Sequence, residues 1–361
     1  MIQLETQVTL VEPILGDAPE QMKWTVHTTY LPTLTSSSAT YDAVLIASGH
    51  YTVPRVPDIN NIAAFVTRYK DNCSITHSKA YSSPEQFHGK KVLVVGGGPS
   101  AVDIAAQIST TCSKPLLIST RSPPTPAFIL PSAQYVAEIT SFLTDPQHNR
   151  AVRLLDGTIL ADLDAIVFCT GYIYAYPFLP TALPSAHPST PPPFATHPLL
   201  HPDGTRVHAL YKHLFYAPAP TLAFLTLPWN IVPFPVAEGQ AAVVARVWAG
   251  RTALPPLAEM LAWERARVAE RGDGKAFHRL APPEDVEYVN ELRRWSEEGA
   301  DGGESTAPHW GVYMRALRFA VAKIKKAYGE RGEQRREIMT LEELGVVYDE
   351  AKGEMRVGED E

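Results

Sequence analysis

Six residues, Gly96-Gly97-Gly98-Pro99-Ser100-Ala101, have the types and spacing to cradle a phosphate. They follow the apolar run Val92-Leu93-Val94-Val95 and open a helical stretch, Val102 to Ile108. Strand, glycine turn, helix is the context in which G-x-G-x-x-[GA] binds a dinucleotide. Gly96 permits the tight turn, Gly98 lets the backbone approach a pyrophosphate, and small Ala101 lets helix and strand pack closely. The helix start, at Ser100, adds unpaired N–H groups and a positive dipole end. Arg121 stands about 20 residues further on, where NAD-binding folds place an acid. A cation there suits a 2′-phosphate through bidentate hydrogen bonds, with Ser119, Thr120 and Ser122 beside it. The coenzyme expected is NADPH. The other reading of Arg121 is a solvated surface side chain.

Two similar turns flank this one. Asp42-Ala-Val-Leu-Ile-Ala-Ser48-Gly49 precedes it and Asp164-Ala-Ile-Val-Phe-Cys-Thr170-Gly171 follows it. Each ends a buried strand, where ligands lie in open α/β sheets. The plainer reading is a tight connection that needs glycine. Gln240, near a helix start, is a candidate for a cofactor's polar edge or for exposed helix surface. His77 is open between orienting a ligand and bonding a loop. Asp103 reads as a dipole-stabilising carboxylate in the first helical turn. No Ser-His-Asp order or paired carboxylates suggest hydrolysis. No Cys or His stands at metal-ligand spacing, so no metal site is expected and no catalytic side chain is assigned.

These turns need sheets to position them. Val8 to Val11 and Trp24 to His27 read as short antiparallel strands. Tyr41 to Ala47, Lys91 to Val95, Pro115 to Ser119, Ala165 to Phe168 and Thr221 to Leu227 read as further strands. Asp156-Gly157 signals a hairpin. Helices are expected over Asn61 to Tyr69, Pro235 to Val247, Leu257 to Glu270, Pro283 to Trp295 and Trp310 to Tyr328. The acidic stretch Glu297 to Glu304 reads as a loop, and the tail after Lys352 is expected to fray. The 32 prolines cluster at 123–131, 177–202 and 218–235 and read as connecting loops.

The chain of 361 residues is long enough for two domains, and 45% hydrophobic against 20% charged residues is a globular balance. The net charge of −7, without a basic block beside the motifs, argues against nucleic acid as partner. No run approaches the ~18 apolar residues of a membrane span. The acidic N-terminus shows no secretory h-region. Three cysteines make no disulfide framework, so a reducing, cytoplasmic setting is expected.

Together the motifs resemble those of the flavin-containing monooxygenases, fungal type, from about Tyr41 to Gly250. Ala47-Ser48-Gly49-His50-Tyr51 with Pro54 and Pro57 resembles the family's first FAD-side turn, and Gly96 to Ala101 its NADPH turn. Phe168-Cys169-Thr170-Gly171-Tyr172 resembles its F-A-T-G-Y signature, with Cys169 in the alanine place. Pro235-Val236-Ala237-Glu238-Gly239-Gln240 resembles its late P-x-x-E-x-Q helix start. His77-Ser78-Lys79-Ala80-Tyr81 resembles the end of F-x-G-x-x-x-H-S-x-x-Y, although Asp71 and Cys73 stand where Phe and Gly belong.

The resemblance implies an α/β fold of two nested dinucleotide-binding domains, Rossmann-like with three ββα layers, and a helical C-terminal extension. Residues 1–55 and 166–361 would form a discontinuous FAD domain, and 56–165 an inserted NADPH domain. FAD and NADPH would be the cofactors. FAD would contact Ser48, Gly49, Thr170, Gly171 and Gln240. The implied reaction is oxygenation of a soft nitrogen or sulfur centre by a flavin hydroperoxide, as with dimethylaniline. The partners are a small substrate and O2, with homo-oligomerisation left open. The family's opening G-x-G-x-x-G unit of about 30 residues is not found before Gly49. The chain is therefore expected to be N-terminally truncated and, alone, to hold FAD poorly. A Baeyer–Villiger or N-hydroxylating monooxygenase, and a non-catalytic NADPH-binding remnant, are the alternatives.

Overall fold

The computed structural model describes residues 2–14, 22–122, 129–181, 199–298 and 305–358. Much of the first two proline clusters, at 123–128 and 182–198, and the greater part of the acidic loop, at 299–304, lie outside the described residues. The chain divides into two compact units. One comprises Met1–Thr52, Ile173–Ile324 and Arg336–Glu361; the other comprises Val53–Tyr172 and Lys325–Arg335.

The first unit begins with β1 (Thr6–Ile14), β2 (Lys23–Tyr30) and β3 (Thr35–Tyr41), an antiparallel sheet in that order, and then β4 (Val44–Ile46). Both expected strands are present but longer. β3 was hidden because every residue of Thr-Ser-Ser-Ser-Ala-Thr-Tyr is exposed. It has no apolar alternation and exists by pairing along β2, from Trp24↔Tyr41 to Tyr30↔Thr35.

The second unit carries α1 (Ile62–Tyr69), β5 (Ser74–His77), β6 (Val92–Val95), α2 (Pro99–Ile108), β7 (Leu116–Ser119) and β8 (Ala133–Val136). β9 (Ile139–Leu143), β10 (Ala151–Leu154), β11 (Ile159–Leu160) and β12 (Ala165–Phe168) complete it. A five-stranded parallel sheet runs in the order β5-β12-β6-β7-β8. Alternate residues face opposite ways. Val92, Val94, Leu116, Ile118, Ala165 and Val167 pack with Ala101, Ile104 and Ile108 of α2. Leu93, Leu117, Ile166 and Phe168 pack instead with Phe142, Val152 and Leu154 of the antiparallel β9–β11 meander and with Phe65 of α1. These are the expected helix, parallel sheet and antiparallel layers.

One boundary differs from the expectation. β12 was assigned to a segment beginning at residue 166, outside the inserted domain. It lies inside the second unit's sheet, with Ala165 in register with Ser74 on one side and Val92 on the other. All four of its residues are buried. A strand paired on both edges and covered on both faces belongs to that sheet, and the unit extends to Tyr172.

Returning to the first unit, β13 (Leu210–Tyr211), β14 (Phe215–Tyr216) and β15 (Leu222–Phe224) continue the chain. They form a sheet ordered β13-β14-β15-β4, whose last pair is parallel. Ile46, Leu210, Tyr216, Leu222 and Phe224 pack with Trp24, Val11 and Met22 of the β1–β3 side. Phe215 and Ala223 face the helices α3 (Pro233–Trp248) and α5 (Glu284–Glu297), meeting Val236, Val243, Val289 and Leu292. A Cβ on Gly239 would come within 3.1 Å of Leu292, so glycine there sets how closely α3 and α5 pack. α4 (Leu257–Arg271) and α6 (Val312–Glu330) complete the helical part.

The tail does not fray where expected. β16 (Val346–Asp349) and β17 (Glu354–Val357) form an antiparallel hairpin, with Val346 and Met355 buried. The Asp349 carboxylate accepts the N–H groups of Ala351 and Lys352, which closes the turn.

Candidate functional site

The four chain segments singled out in the second unit all emerge at the carboxyl edge of its parallel sheet. His77 ends β5, Gly96 follows β6, Arg121 follows β7, and Thr170-Gly171 follows β12. This is the edge where open α/β sheets bind ligands. The residues at it do different work.

Gly96 is demanded by the fold. Its φ is +133°, and a Cβ there would lie 2.4 Å from the Cys169 carbonyl oxygen. Its N–H donates to the Ser119 carbonyl at 2.9 Å, tying the turn to β7. Gly98 is not demanded by the fold. Its φ is −84°, which any residue adopts, and a Cβ there would meet nothing within 4 Å. Gly97 to Ser100 are exposed, and α2 starts at Pro99 with no side chain capping its first turn. The result is bare backbone, open space and a positive helix end, which is the donor set for an anionic group. Ala101 is buried against β6, as its small size implied. Asp103 lies in the second turn of α2, because the helix begins earlier than expected, so it is not a first-turn carboxylate.

Arg121 is exposed two residues past β7. Of its expected helpers, Ser119 is committed, since its hydroxyl donates to the Ala137 carbonyl at 2.9 Å.

Thr170 and Gly171 act on the chain itself. The Thr170 hydroxyl donates to the Arg55 carbonyl, and the Arg55 N–H donates to the Gly171 carbonyl at 2.9 Å. His77 joins the same clasp. The Lys79 N–H donates to His77 Nδ1 at 3.1 Å, so Nε2 carries the proton and donates to the Gly171 carbonyl at 2.9 Å. Burial lowers the His77 pKa and keeps the ring neutral. His77 is thus a strap between β5 and β12, which answers the question its sequence context left open. Cys169 beside it is a buried thiol pushed up to about 12 by desolvation, hence inert.

In the first unit the corresponding place is the end of the parallel pair β4–β15. Ser48 and Gly49 are exposed there, and Gly49 has φ +67° with open space around a would-be Cβ. Thr226 follows β15 with φ +61°, a strained value for a β-branched residue. Gln240 explains how it is held. Its amide is fully buried, Oε1 accepts the Thr226 N–H at 2.8 Å, and Nε2 donates to the Tyr288 hydroxyl at 2.9 Å. Gln240 is therefore a positioning residue inside the core. The reading of it as exposed helix surface is corrected.

His50 directly follows the Ser48-Gly49 turn. It is 9% exposed, and neither ring nitrogen has a hydrogen-bond partner. Its ring lies against Tyr51 and Tyr174, centroids 4.3 and 4.9 Å away. Desolvation lowers its pKa to about 4, against an opposing effect of the Thr226 backbone and with a further contribution from the Lys275 cation. No sequence pattern marks Thr226, because its signal is a dihedral angle.

A family model described as flavin-binding monooxygenase-like matches residues 1–132 and 126–296. The chain belongs to this family. Among curated relatives of this monooxygenase-like family, flavin-containing monooxygenase ustF2 of Aspergillus flavus is 34% identical, over 77% of this chain and 58% of its own length. Flavin-containing monooxygenase FMO GS-OX-like 2 of Arabidopsis thaliana is 32% identical, over 81% and 58%. The thiol-specific monooxygenase of Saccharomyces cerevisiae is 33% identical, over 60% and 47%. The chain thus spans about half the length of these relatives. The solved structure of S-allyl-L-cysteine S-oxygenase from Allium sativum superposes with a TM-score of 0.69 at 27% identity, covering 98% of this chain and 71% of that one. Among the described residues, no helix is long and apolar enough to cross a membrane, and no group of three or more His, Cys, Asp and Glu side chains could hold a metal ion.

Proposed function

We propose that this chain carries the nucleotide sites of an FAD- and NADPH-dependent monooxygenase acting on a soft sulfur or nitrogen nucleophile. The observation that carries the reading is the Gly96–Ser100 turn, whose second role-bearing glycine has room above it that the fold does not use. The second unit is the NADPH unit. Its turn and the start of α2 take the pyrophosphate, and Arg121 takes the 2′-phosphate through charge-assisted hydrogen bonds. The first unit is the FAD unit, with Ser48, Gly49 and the Gln240-held Thr226 at its ligand edge. His77, Thr170 and Gly171 keep the NADPH edge in shape.

The overall reaction joins NADPH, a proton, O2 and the substrate, and yields NADP+, water and the mono-oxygenated substrate. Bound flavin supplies the two-electron chemistry with O2, and the protein supplies position and exclusion of water. This is why no side-chain acid, base or nucleophile stands out at either edge. Sulfur is the preferred target class, because the named activities of two relatives are thiol-specific oxidation and S-oxygenation.

The test uses the full chain with a thioether and a tertiary amine as probes. Supplied with FAD, it should consume one NADPH per oxygen atom transferred, with label from 18O2 in the sulfoxide, and prefer NADPH to NADH. NADPH binding no tighter than NADH binding would remove the coenzyme assignment. Product without 18O would remove the monooxygenase reading.

A further inference from the structure

The match to the family model ends at residue 296, and beyond it the chain builds a second concave surface. Here α6 and the β16–β17 hairpin enclose a groove of about 420 Å³. Its walls, residues 315–323 and 352–355, both belong to the first unit. Small-molecule sites span roughly 300–1,000 Å³. The floor is apolar, because Ala316 and Ala320, one turn apart on α6, and Met355 of β17 are buried there. Phe319 forms an aromatic side and stays 54% exposed. A lone exposed phenylalanine needs no explanation, but this one borders a concave apolar floor, which marks a binding groove.

The rim is cationic. Arg315, Lys323 and Lys352 line the groove against one carboxylate, that of Glu354. Arg315 is preset, since Nη1 donates to the Glu287 carboxylate of α5 at 2.5 Å and the guanidinium lies 5.9 Å from the Phe319 ring centroid. That bond uses one N–H of a group that carries several, so the fork can still receive an acceptor. Lys352 is placed by the hairpin turn, where its N–H and that of Ala351 donate to the Asp349 carboxylate, which Arg356 also holds. An apolar floor under a positive rim fits a ligand with a hydrocarbon body and an anionic head. A cationic head would meet repulsion from the same rim.

We propose that the groove between α6 and the C-terminal hairpin binds a single-chain organic carboxylate, its hydrocarbon on Ala316, Phe319, Ala320 and Met355 and its head on Arg315 and Lys352. The site is separate from the nucleotide sites and does not depend on the flavin reading. Burial of Phe319 and the floor supplies affinity, and charge-assisted hydrogen bonds at the rim supply the choice of head group.

Decanoate, kept below its micelle-forming concentration, is the probe. In the full chain with isotope-labelled methionine methyl groups, decanoate should shift the Met355 resonance saturably; M355L identifies that resonance by its loss. Decyltrimethylammonium, the same chain with the opposite charge, should bind far more weakly. K352E should keep the wild-type melting temperature, since Lys352 is exposed. It should weaken decanoate binding roughly three- to tenfold, as expected for an exposed contact reversed in sign. Added salt should weaken binding in the wild-type chain. A Met355 resonance unmoved by decanoate, equal binding of the two head groups, or K352E binding as tightly as wild type would each overturn the proposal. Association with anionic phospholipid vesicles without decanoate binding would also overturn it, and would make this face a membrane contact instead.

Discussion

The carboxyl edges of the two sheets solve the same problem in opposite ways. In the second unit three polar side chains at the edge are spent on the protein, His77 on Gly171, Thr170 on Arg55 and Ser119 on Ala137, and Arg121 stays exposed. What faces outward is backbone, at Gly97 to Ser100. In the first unit the backbone is tied, at Thr226, and what is left over is a side chain, His50. A surface of backbone N–H groups suits a phosphate, which asks only for donors. The difference teaches that the glycine motif alone does not tell which glycine serves the ligand.

The sharpest way to break the comparison is to change the two glycines separately. Gly96→Val should unfold or severely loosen the second unit. The branched side chain would enter the Cys169 carbonyl at a φ of +133°, with strain and overpacking together costing about 3–5 kcal/mol. Gly98→Val should leave the melting temperature within experimental error of wild type and abolish NADPH binding by titration calorimetry. If Gly98→Val also unfolds the chain, or binds NADPH normally, the division of labour is wrong.

Acid should separate the units next. Among the described residues, the three buried histidines of the first unit have pKa values below the ordinary 6.5: His50 at about 4, His213 and His278 well below, each through burial first. The unfolded chain takes up these protons near pH 6.5 and the folded chain resists them. Their contribution is therefore constant above pH 6.5 and lost progressively as the pH falls toward 4. For His50 alone the loss is about 3 kcal/mol. Chemical denaturation followed by tryptophan fluorescence from pH 7 to 4.5 should show this, since all six tryptophans, Trp24 before residue 52 and the other five between residues 173 and 324, fall in the first unit. A flat profile over that range would mean these rings are not buried neutral.

Arg121→Ala should cost a charge-assisted contact of about 1.5–3 kcal/mol, a ten- to hundredfold weaker NADPH affinity with NADH little changed. Equal losses for both coenzymes would place Arg121 elsewhere. The smallest effect is expected from Gln240→Leu, which strands the Thr226 N–H, while the Tyr288 hydroxyl keeps its bond to the Lys212 carbonyl. A loss of about 1–2 kcal/mol in stability is expected from chemical denaturation. Full stability in that variant would show that Thr226 keeps its conformation unaided.

Much of this was legible in the chain. The apolar run before Gly96 and the four-residue runs ending at Ser119 and Phe168 are buried on both faces, so composition alone marks them as interior strands. All four helices expected in the C-terminal half start and stop within about two residues of their periodic pattern. Missed elements share one property, which is that their reason to exist lies in a partner. β3 has no apolar face of its own, and β17 depends on pairing back along β16, from Val346↔Val357 to Asp349↔Glu354. The same holds at the sites. Gly96, Gly98 and Ala101 could be given roles from spacing because a turn is local. His77, Thr170 and Gln240 could not, because Gly171, Arg55, Thr226 and Tyr288 are brought to them only by the fold.

The nested chain order also sets a timetable. Every strand of the parallel sheet in the second unit lies between Ser74 and Phe168, so that sheet can close as soon as this stretch has left the ribosome. β4 must wait for Leu222–Phe224, its parallel partner, and the apolar underside of β1 and β2, with Val11, Met22 and Trp24, waits for the same sheet. Domains generally fold as units in the order they are made. Here the piece in the middle is finished first, while the opening strands stand half-dressed for the synthesis of well over a hundred residues. A polar, serine-rich β3 along the outer edge of that waiting hairpin is a covering that does not invite a neighbouring nascent chain to pair.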